Sequence, residues 1–416
     1  MPHSTTLLFA LLVSAGASAS AAADPGVTDT EVVLGQSAAF SGPSAGLGVE
    51  MWRGATAAFS LANEKGVFGR KVRLIAADDG YDAERAAATV LKLITKDKVF
   101  ALFGGVGTPT IVKALPVVLK YYKDEGLFYF ANFTGAQPQR EPPYERAVFN
   151  VRTSYRLETK AAVDAFVAMG RKKIGIFVQD DAYGASGRDG IKRALAEHSL
   201  QIAADTTYPR GQLFDVANSE QVKVLAAAAV DAIIMVGAYQ ACAGMVRDLR
   251  TSGITAPIDN VSFVGADQML ALLAPEEKKG SKKLTANLLN TQVVPFYDDV
   301  SVPAVRDYRS AIAKYAPSAP VGVGDGNYKP GKPHSFGSLE GFISARAFLV
   351  VLDKTGAKLT RQSFFEAAEK LGRFDLGVGV PAELSPTRHQ ALDKVWWTYA
   401  ATDKWKPVDD PSTVIK

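Results

Sequence analysis

Two α/β lobes, each a doubly wound parallel sheet covered by helices, are the fold class this sequence predicts, and three observations predict it. Short apolar runs suited to strands alternate with runs at helical spacing along most of the chain. The alternation runs through once and then restarts near residue 173. About 390 residues remain after the first two dozen, more than one hydrophobic core usually holds.

The stretch KVFALFGGVGTPT, 98–110, shows the repeating unit most clearly. Val99 to Phe103 is an apolar run of the kind buried on both faces of a parallel sheet. Gly104, Gly105 and Gly107 then turn the chain, and Thr108-Pro109 reads as a helix cap followed by proline at the first helical position. Ile111, Val112, Leu115, Val118 and Leu119 recur at helical spacing after it. A strand that enters a helix through glycines leaves unpaired N–H groups at a positive dipole end, which suits a carboxylate or a phosphate. A dinucleotide is disfavoured, because Thr110 stands where the fingerprint needs its third glycine, and the Gly-Lys-Ser/Thr of a P-loop is absent. A plain structural turn is the bland alternative, and a small carboxylate is the functional one.

The other elements follow in order. Residues 31–40 read as a strand, 48–65 as a helix, 71–77 as a strand and 83–97 as a helix. Strands are expected at 127–131 and 147–151. In the second series, strands at 173–178, 202–208, 231–236 and 261–264 alternate with helices at 187–197, 216–229, 241–250 and 267–273. Then come a strand at 287–294, a helix at 302–315, a Gly/Pro-rich loop at 321–333, helices at 339–352 and 361–371, and a closing strand at 395–399.

The first 23 residues resemble a secretory signal peptide: a short apolar core from Leu7 to Val13, then small residues from Ala15 to Ala23. The mature chain is therefore expected to be exported and soluble, with no stable membrane insertion, since the apolar segment is too short to span a bilayer. A net charge of +4, with Lys and Arg scattered, gives no nucleic-acid footprint. Cys242 is the only cysteine, so no internal disulfide is possible, and its neighbours Ala241 and Ala243 suggest a small buried side chain. No metal or cofactor motif is present. Gly42-Pro43-Ser44-Ala45-Gly46 matches the letters of a hydrolase nucleophile elbow, but it follows the first strand rather than a central one, and Pro43 restricts the turn. A Ser44 hydrolase is thus disfavoured. Asp78-Asp79 and Asp180-Asp181 read as loop and cap groups.

Ligands of open α/β sheets bind beyond the carboxyl ends of the strands. Those ends here carry hydroxyls, amides and aromatics, a set better suited to holding a small molecule than to transforming it. The stretches GQSAAFSGPSAGLG (35–48), GRKVRLIAADDGYDAERAA (69–87), FALFGGVGTPT (100–110), VQDDAYGASG (178–187) and VGAYQACAGMVRDLRTSG (236–253) together resemble the type 1 periplasmic solute-binding proteins of ABC transporters, in the branched-chain amino-acid-binding group.

The resemblance implies a monomeric, non-enzymatic periplasmic protein whose two lobes, joined by a three-crossing hinge, close on a solute and deliver it to an inner-membrane ABC permease. It places the crossings near Val151, Val294 and Asp375, giving lobe 1 as 24–151 plus 295–375 and lobe 2 as 152–294 plus 376–416. Thr108 falls where a hydroxyl grips the ligand carboxylate, and Thr134 where a second hydroxyl and its backbone meet carboxylate and ammonium, with Asn132 lending its main chain. Tyr183 and Tyr239 match tyrosines that close from the second lobe, and Asp267 stands where the family often has a Glu for the ammonium. Leu47 replaces a frequent aromatic, Phe133 is bulkier than usual, and Tyr81 and Gly107 occupy the places of a disulfide found in some members. Leu47, Val106, Gly107 and Phe133 would then line an apolar, roomier pocket. The implied solute is a small amino-acid-like or apolar carboxylate. The alternatives are a larger aromatic or lipid-like metabolite rather than leucine, or a ligand-sensing receptor role for the same clamp.

Overall fold

In the computed structural model, which describes residues 24–415 apart from 281 and 316, the first series of elements builds a five-stranded sheet. The expected signal peptide, 1–23, lies outside the described residues. The elements are β1 (Glu31–Ala38), α1 (Ala45–Asn63), β2 (Lys71–Asp78), α2 (Ala83–Thr95), β3 (Ala101–Phe103), α3 (Thr108–Glu125), β4 (Tyr129–Phe130) and β5 (Val148–Phe149). The strands are all parallel in the order β2-β1-β3-β4-β5. The order reverses about β1, so the loops after β1 and β3 sit at a topological switch point. Behind these strands Phe103, Phe130, Phe348 and Phe364 form a ring-on-ring core, with Phe348 and Phe364 centroids 4.8 Å apart.

The second series comprises α4 (Tyr155–Ala168), β6 (Ile174–Gln179), α5 (Ala182–Glu197), β7 (Ala204–Tyr208), α6 (Ser219–Ala227), β8 (Ala232–Val236), α7 (Tyr239–Thr251), β9 (Ile258–Asn260), α8 (Ala266–Lys279) and β10 (Leu288–Gln292). The chain then returns to pack α9 (Pro303–Tyr315), α10 (Phe336–Thr355) and α11 (Arg361–Glu369) on the first lobe, where α10 lies along α1. A hairpin, β11 (Gly372–Asp375) and β12 (Pro381–Leu384), precedes β13 (Trp396–Ala401) and β14 (Lys404–Val408). The second sheet runs β14-β13-β10-β9-β8-β6-β7, and its last two strands in sequence are antiparallel. Every residue of β6 and β8 is buried, as the unbroken apolar runs require of strands covered on both faces.

Several sequence expectations shift on contact with the fold. The run expected as a strand at 261–264 is a 3-10 turn over Ser262–Val264, and the strand lies just before it, at β9. Gly265, at φ 78°, then starts α8. The helix expected from 187 begins five residues earlier, because Asp181 caps it by accepting from the Tyr183 N–H at 2.9 Å. The tract 321–333 contains no helix or strand, as its composition suggested. The hairpin and β14 had no signal of alternation long enough to read.

Three chain passages join the two sheets. The first and third run side by side: the Asn150 N–H donates to His389 O, Ala391 N–H to Asn150 O, and Leu392 N–H to Val151 O. The second spans the residues between β10 and α9. We assign the third to 385–395, later than the expected position near Asp375. The β11–β12 hairpin intervenes and is tied back to α9 by the Ala304 N–H on Gly377 O.

Candidate functional site

The loop after β3 enters α3 as the sequence suggested, but with the cap one residue earlier. Gly107, at φ 105°, is the N-cap and Thr108 is the first helical residue. A Cβ at Gly107 would lie 2.2 Å from the Tyr81 ring, so close approach and positive φ both demand glycine. Tyr81 and Gly107 are thus joined by packing. Thr108, relieved of capping, turns its hydroxyl to Thr134, with the two Oγ1 atoms 2.7 Å apart and both side chains fully buried. Pro109 has no N–H, and the Ile111 N–H donates to Gly107 O at 3.1 Å. Among the described residues, the N–H groups of Thr108 and Thr110 are therefore the free donors of the first turn of α3, at a positive dipole end beside this hydroxyl pair.

The other expected site residues lie around it. Val106 and Phe133 pair as an isolated bridge, with the Phe133 N–H on Gly105 O at 2.7 Å. The main chain of Asn132, expected to meet the solute, accepts instead from the Thr134 N–H, while its side-chain amide is buried with no protein partner. From the second lobe come Tyr183, fully buried with its hydroxyl toward Gly237 O, and Phe263 of the 3-10 turn. The Phe263 ring centroid is 5.3 Å from Phe133, 4.8 Å from Tyr183 and 6.2 Å from Tyr81, so rings of both lobes meet across the cleft. Tyr155 adds another ring 5.3 Å from Tyr183. Tyr81 and Gln179 join the lobes directly, Gln179 Nε2 donating to the Tyr81 hydroxyl at 3.3 Å. The lobes are closed on one another.

Leu47, Tyr239 and Asp267 lie elsewhere along the same seam. A Cβ on Gly265 would meet Leu47 at 2.9 Å and Tyr239 at 3.1 Å, which places α1 directly against the starts of α7 and α8. Asp267 departs from its expected role. One carboxylate oxygen accepts from the Tyr297 hydroxyl at 2.8 Å and the other from the Phe336 N–H at 3.0 Å, so it holds the N-terminus of α10. Burial pushes its pKa up to about 6. Beside it opens a cavity of about 440 Å³ between α1, α7, α8 and the 321–335 segment, lined among others by Pro43, Glu50, Tyr239, Asp267, Gln268 and Tyr328.

Sequence reasoning missed the ionic centre beside the cleft. Arg152, on the first passage, pairs with Glu158 of α4 at 3.1 Å and Glu340 of α10 at 3.3 Å, and it reaches the Ser262 hydroxyl. Its guanidinium also lies 5.2 Å from the Phe133 centroid and 5.6 Å from that of Tyr155. The only sequence signal was a lone arginine directly after an apolar strand.

The remaining candidates have structural roles. Asp78 accepts from the Phe40, Ser41 and Gly80 N–H groups and so pins the loop after β1. Ser44 precedes α1, and among the described residues no hydrogen bond joins it to a histidine. Cys242 is buried, and burial pushes its thiol well up. Among the described residues no group of three His, Cys, Asp or Glu side chains could hold a metal, and no helix is long and apolar enough to cross a membrane.

Asp79 gives a pH prediction. It is fully buried and accepts from the Ser37 hydroxyl at 2.7 Å and the Tyr81 N–H at 2.9 Å. Burial raises its pKa from 3.8 to about 7. The folded state therefore holds this proton more tightly than the unfolded one, and the stabilisation is full at acid pH and lost as pH rises through 7. Relative to Asp79→Asn, the wild type is expected to lose up to about 4 kcal/mol between pH 4 and pH 8. Urea unfolding at those two pH values checks it, and a pH-independent difference would contradict the assignment.

The two-lobe fold is shared with known proteins. The model of a periplasmic binding protein family matches residues 31–404. A possible leucine/isoleucine/valine-binding protein from Rhodopirellula baltica SH 1 is 34% identical, with 93% of this chain and 98% of that one covered and a TM-score of 0.82. An amino acid binding protein of Pseudomonas aeruginosa is 25% identical over 253 residues, which span 60% of this chain and 66% of that relative. A fatty acid ABC transporter substrate-binding protein from Thermomonospora curvata shares the fold at 21% identity and a TM-score of 0.76, with 93% of this chain and 94% of that one covered. A family match that runs from β1 to the start of β14, through every passage between the sheets, leaves one assignment: the chain belongs to the periplasmic binding protein family.

Proposed function

We propose that this chain is the solute-capturing component of an ABC transporter, acting in the periplasm and handing its cargo to an inner-membrane permease. The solute is a small carboxylate with an apolar or aromatic body. One observation carries this reading: the Thr108 and Thr134 hydroxyls meet at the N-terminus of α3, beside aromatic rings contributed by both lobes. Hydroxyls and first-turn N–H groups recognise an anion. The rings supply apolar walls.

A second reading, an α-amino acid, is favoured by the names of two relatives, one a possible leucine/isoleucine/valine-binding protein and the other an amino acid binding protein. It needs an acceptor for the ammonium, and Asp267 already accepts from Tyr297 and Phe336. The fatty-acid relative points the other way.

A thermal-shift screen of the mature protein against octanoate, phenylacetate, leucine, valine and phenylalanine separates the two. A solute at 100 times its Kd adds about 2.7 kcal/mol of stability, enough to raise the melting temperature visibly. A shift with octanoate or phenylacetate alone is the expected result, and a shift with the amino acids alone moves the solute class. Silence from all five would count against carboxylate capture.

A further inference from the structure

We propose that Tyr328, on the long 321–335 segment, is a specificity-determining residue that bridges the two lobes and roofs a chamber for the body of an extended solute. The proposal rests on the reading of this chain as a solute-capturing protein.

The segment belongs mechanically to the first lobe. Arg53 of α1 donates to Pro317 O at 2.7 Å and to Pro333 O at 3.1 Å, which clamps both ends. Asp325 accepts from the Gly42 N–H at 2.9 Å and holds the tip. From this platform the Tyr328 hydroxyl donates to Glu50 Oε1 at 2.9 Å and accepts from Gln268 Nε2 at 2.9 Å. Glu50 is on α1 and Gln268 on α8, so a single phenol joins one lobe to the other. Glu50 is itself fixed, its second oxygen taking Arg53 at 2.7 Å and the Ser335 hydroxyl at 2.7 Å. Of the bonds made by the Tyr328 and Glu50 side chains, the one to Gln268 is the one that crosses the seam and breaks when the lobes part.

The ring is seated as tightly as the hydroxyl. A Cβ on Gly46 would lie 2.9 Å from Tyr328 Cε2, 3.2 Å from Gln268 Cγ and 3.3 Å from the Tyr239 hydroxyl. Three elements therefore converge on Gly46, a position of α1 that has no side chain. Behind this contact lies the cavity of about 440 Å³, within the size range of small-molecule sites. Pro43, Leu272, Tyr239 and Tyr328 give it apolar walls, and Asp267 and Lys332 give it polar ones. Its roof is the segment that carries Tyr328. A solute whose body reaches this chamber must fit beneath that ring, so ring size limits solute length.

The test uses the full mature chain as wild type, Tyr328→Phe and Tyr328→Ala. Hydrogen exchange without any solute reads the bridge. Tyr328→Phe is expected to speed exchange at least threefold both in 321–335 and in the first turn of α8, two segments on different lobes. Faster exchange confined to 321–335 would overturn the bridge. Calorimetry with leucine, phenylacetate, octanoate and dodecanoate reads the roof. Tyr328→Ala is expected to improve dodecanoate relative to octanoate by tenfold or more. An unchanged ratio would overturn the role in specificity. If the wild type takes none of the four while Tyr328→Phe still loosens both segments, the bridge stands and the carboxylate reading and the roof over it fall.

Discussion

Replacing Arg152 with alanine is expected to cost about 3–5 kcal/mol of stability, because it strands two buried carboxylates. Glu158 and Glu340 are both essentially sealed from solvent, and Arg152 is the cation that contacts them. Burial alone would lower the Arg152 pKa, yet Glu340 and Glu158 hold it above its usual value. Burial also pushes Glu340 up to about 7 even with Arg152 in place. Without the guanidinium, that carboxyl group is held still more firmly in its protonated form. A carboxyl group whose folded pKa lies above its unfolded value loses stability as pH rises between the two. The loss on Arg152→Ala should therefore be larger at pH 8 than at pH 5. Urea unfolding at both values measures it, and a loss below about 1 kcal/mol at pH 8 would show that the ion cluster is not the stabilising unit assumed here.

The second large effect concerns the solute. Thr108→Ala and Thr134→Ala are each expected to weaken binding of the identified carboxylate by more than tenfold, since a hydrogen bond to a charged group is worth about 1.5–3 kcal/mol. The two hydroxyls share a hydrogen bond with each other, so their losses should not add. The double variant is expected to bind only slightly worse than the weaker single one. Both sites are fully buried, so melting temperatures without solute must accompany the titrations. Normal affinity in either single variant, in a folded protein, would move the carboxylate away from the N-terminus of α3.

The difference between what was legible and what was not has a physical pattern. Alternation at periods of 2 and 3.6 is local, so both series of strands and helices could be read from short windows. The glycines of the β3–α3 loop and the hydroxyl at Thr108 were readable for the same reason, although the cap itself proved to be Gly107. The error at 261–264 was also local in origin. A short apolar run fits a strand and a buried 3-10 turn equally well, and that ambiguity concealed Phe263.

Asp267 is the instructive departure. Its place at the start of α8 was legible, but its partner was not, because the Phe336 N–H lies 69 residues away on another lobe's helix. Tyr328 is a stronger case, 278 residues from Glu50. Its one sequence signal was to be the single aromatic in an otherwise Gly/Pro-rich and polar tract, 321–333. Arg152 needed three elements to be assembled before its partners existed at all.

By itself, then, the sequence determined that this chain makes two parallel α/β lobes, and that one strand leads through glycines into a helix N-terminus. Those features follow from periodicity, turn chemistry and backbone sterics acting over a few residues. Only the tertiary structure decided which carboxylates are spent on helix caps and ion clusters, which rings meet across the cleft, and that a loop tyrosine closes the seam. Those outcomes depend on burial and on hydrogen-bond partners that distant segments bring to one place, and no local pattern encodes them.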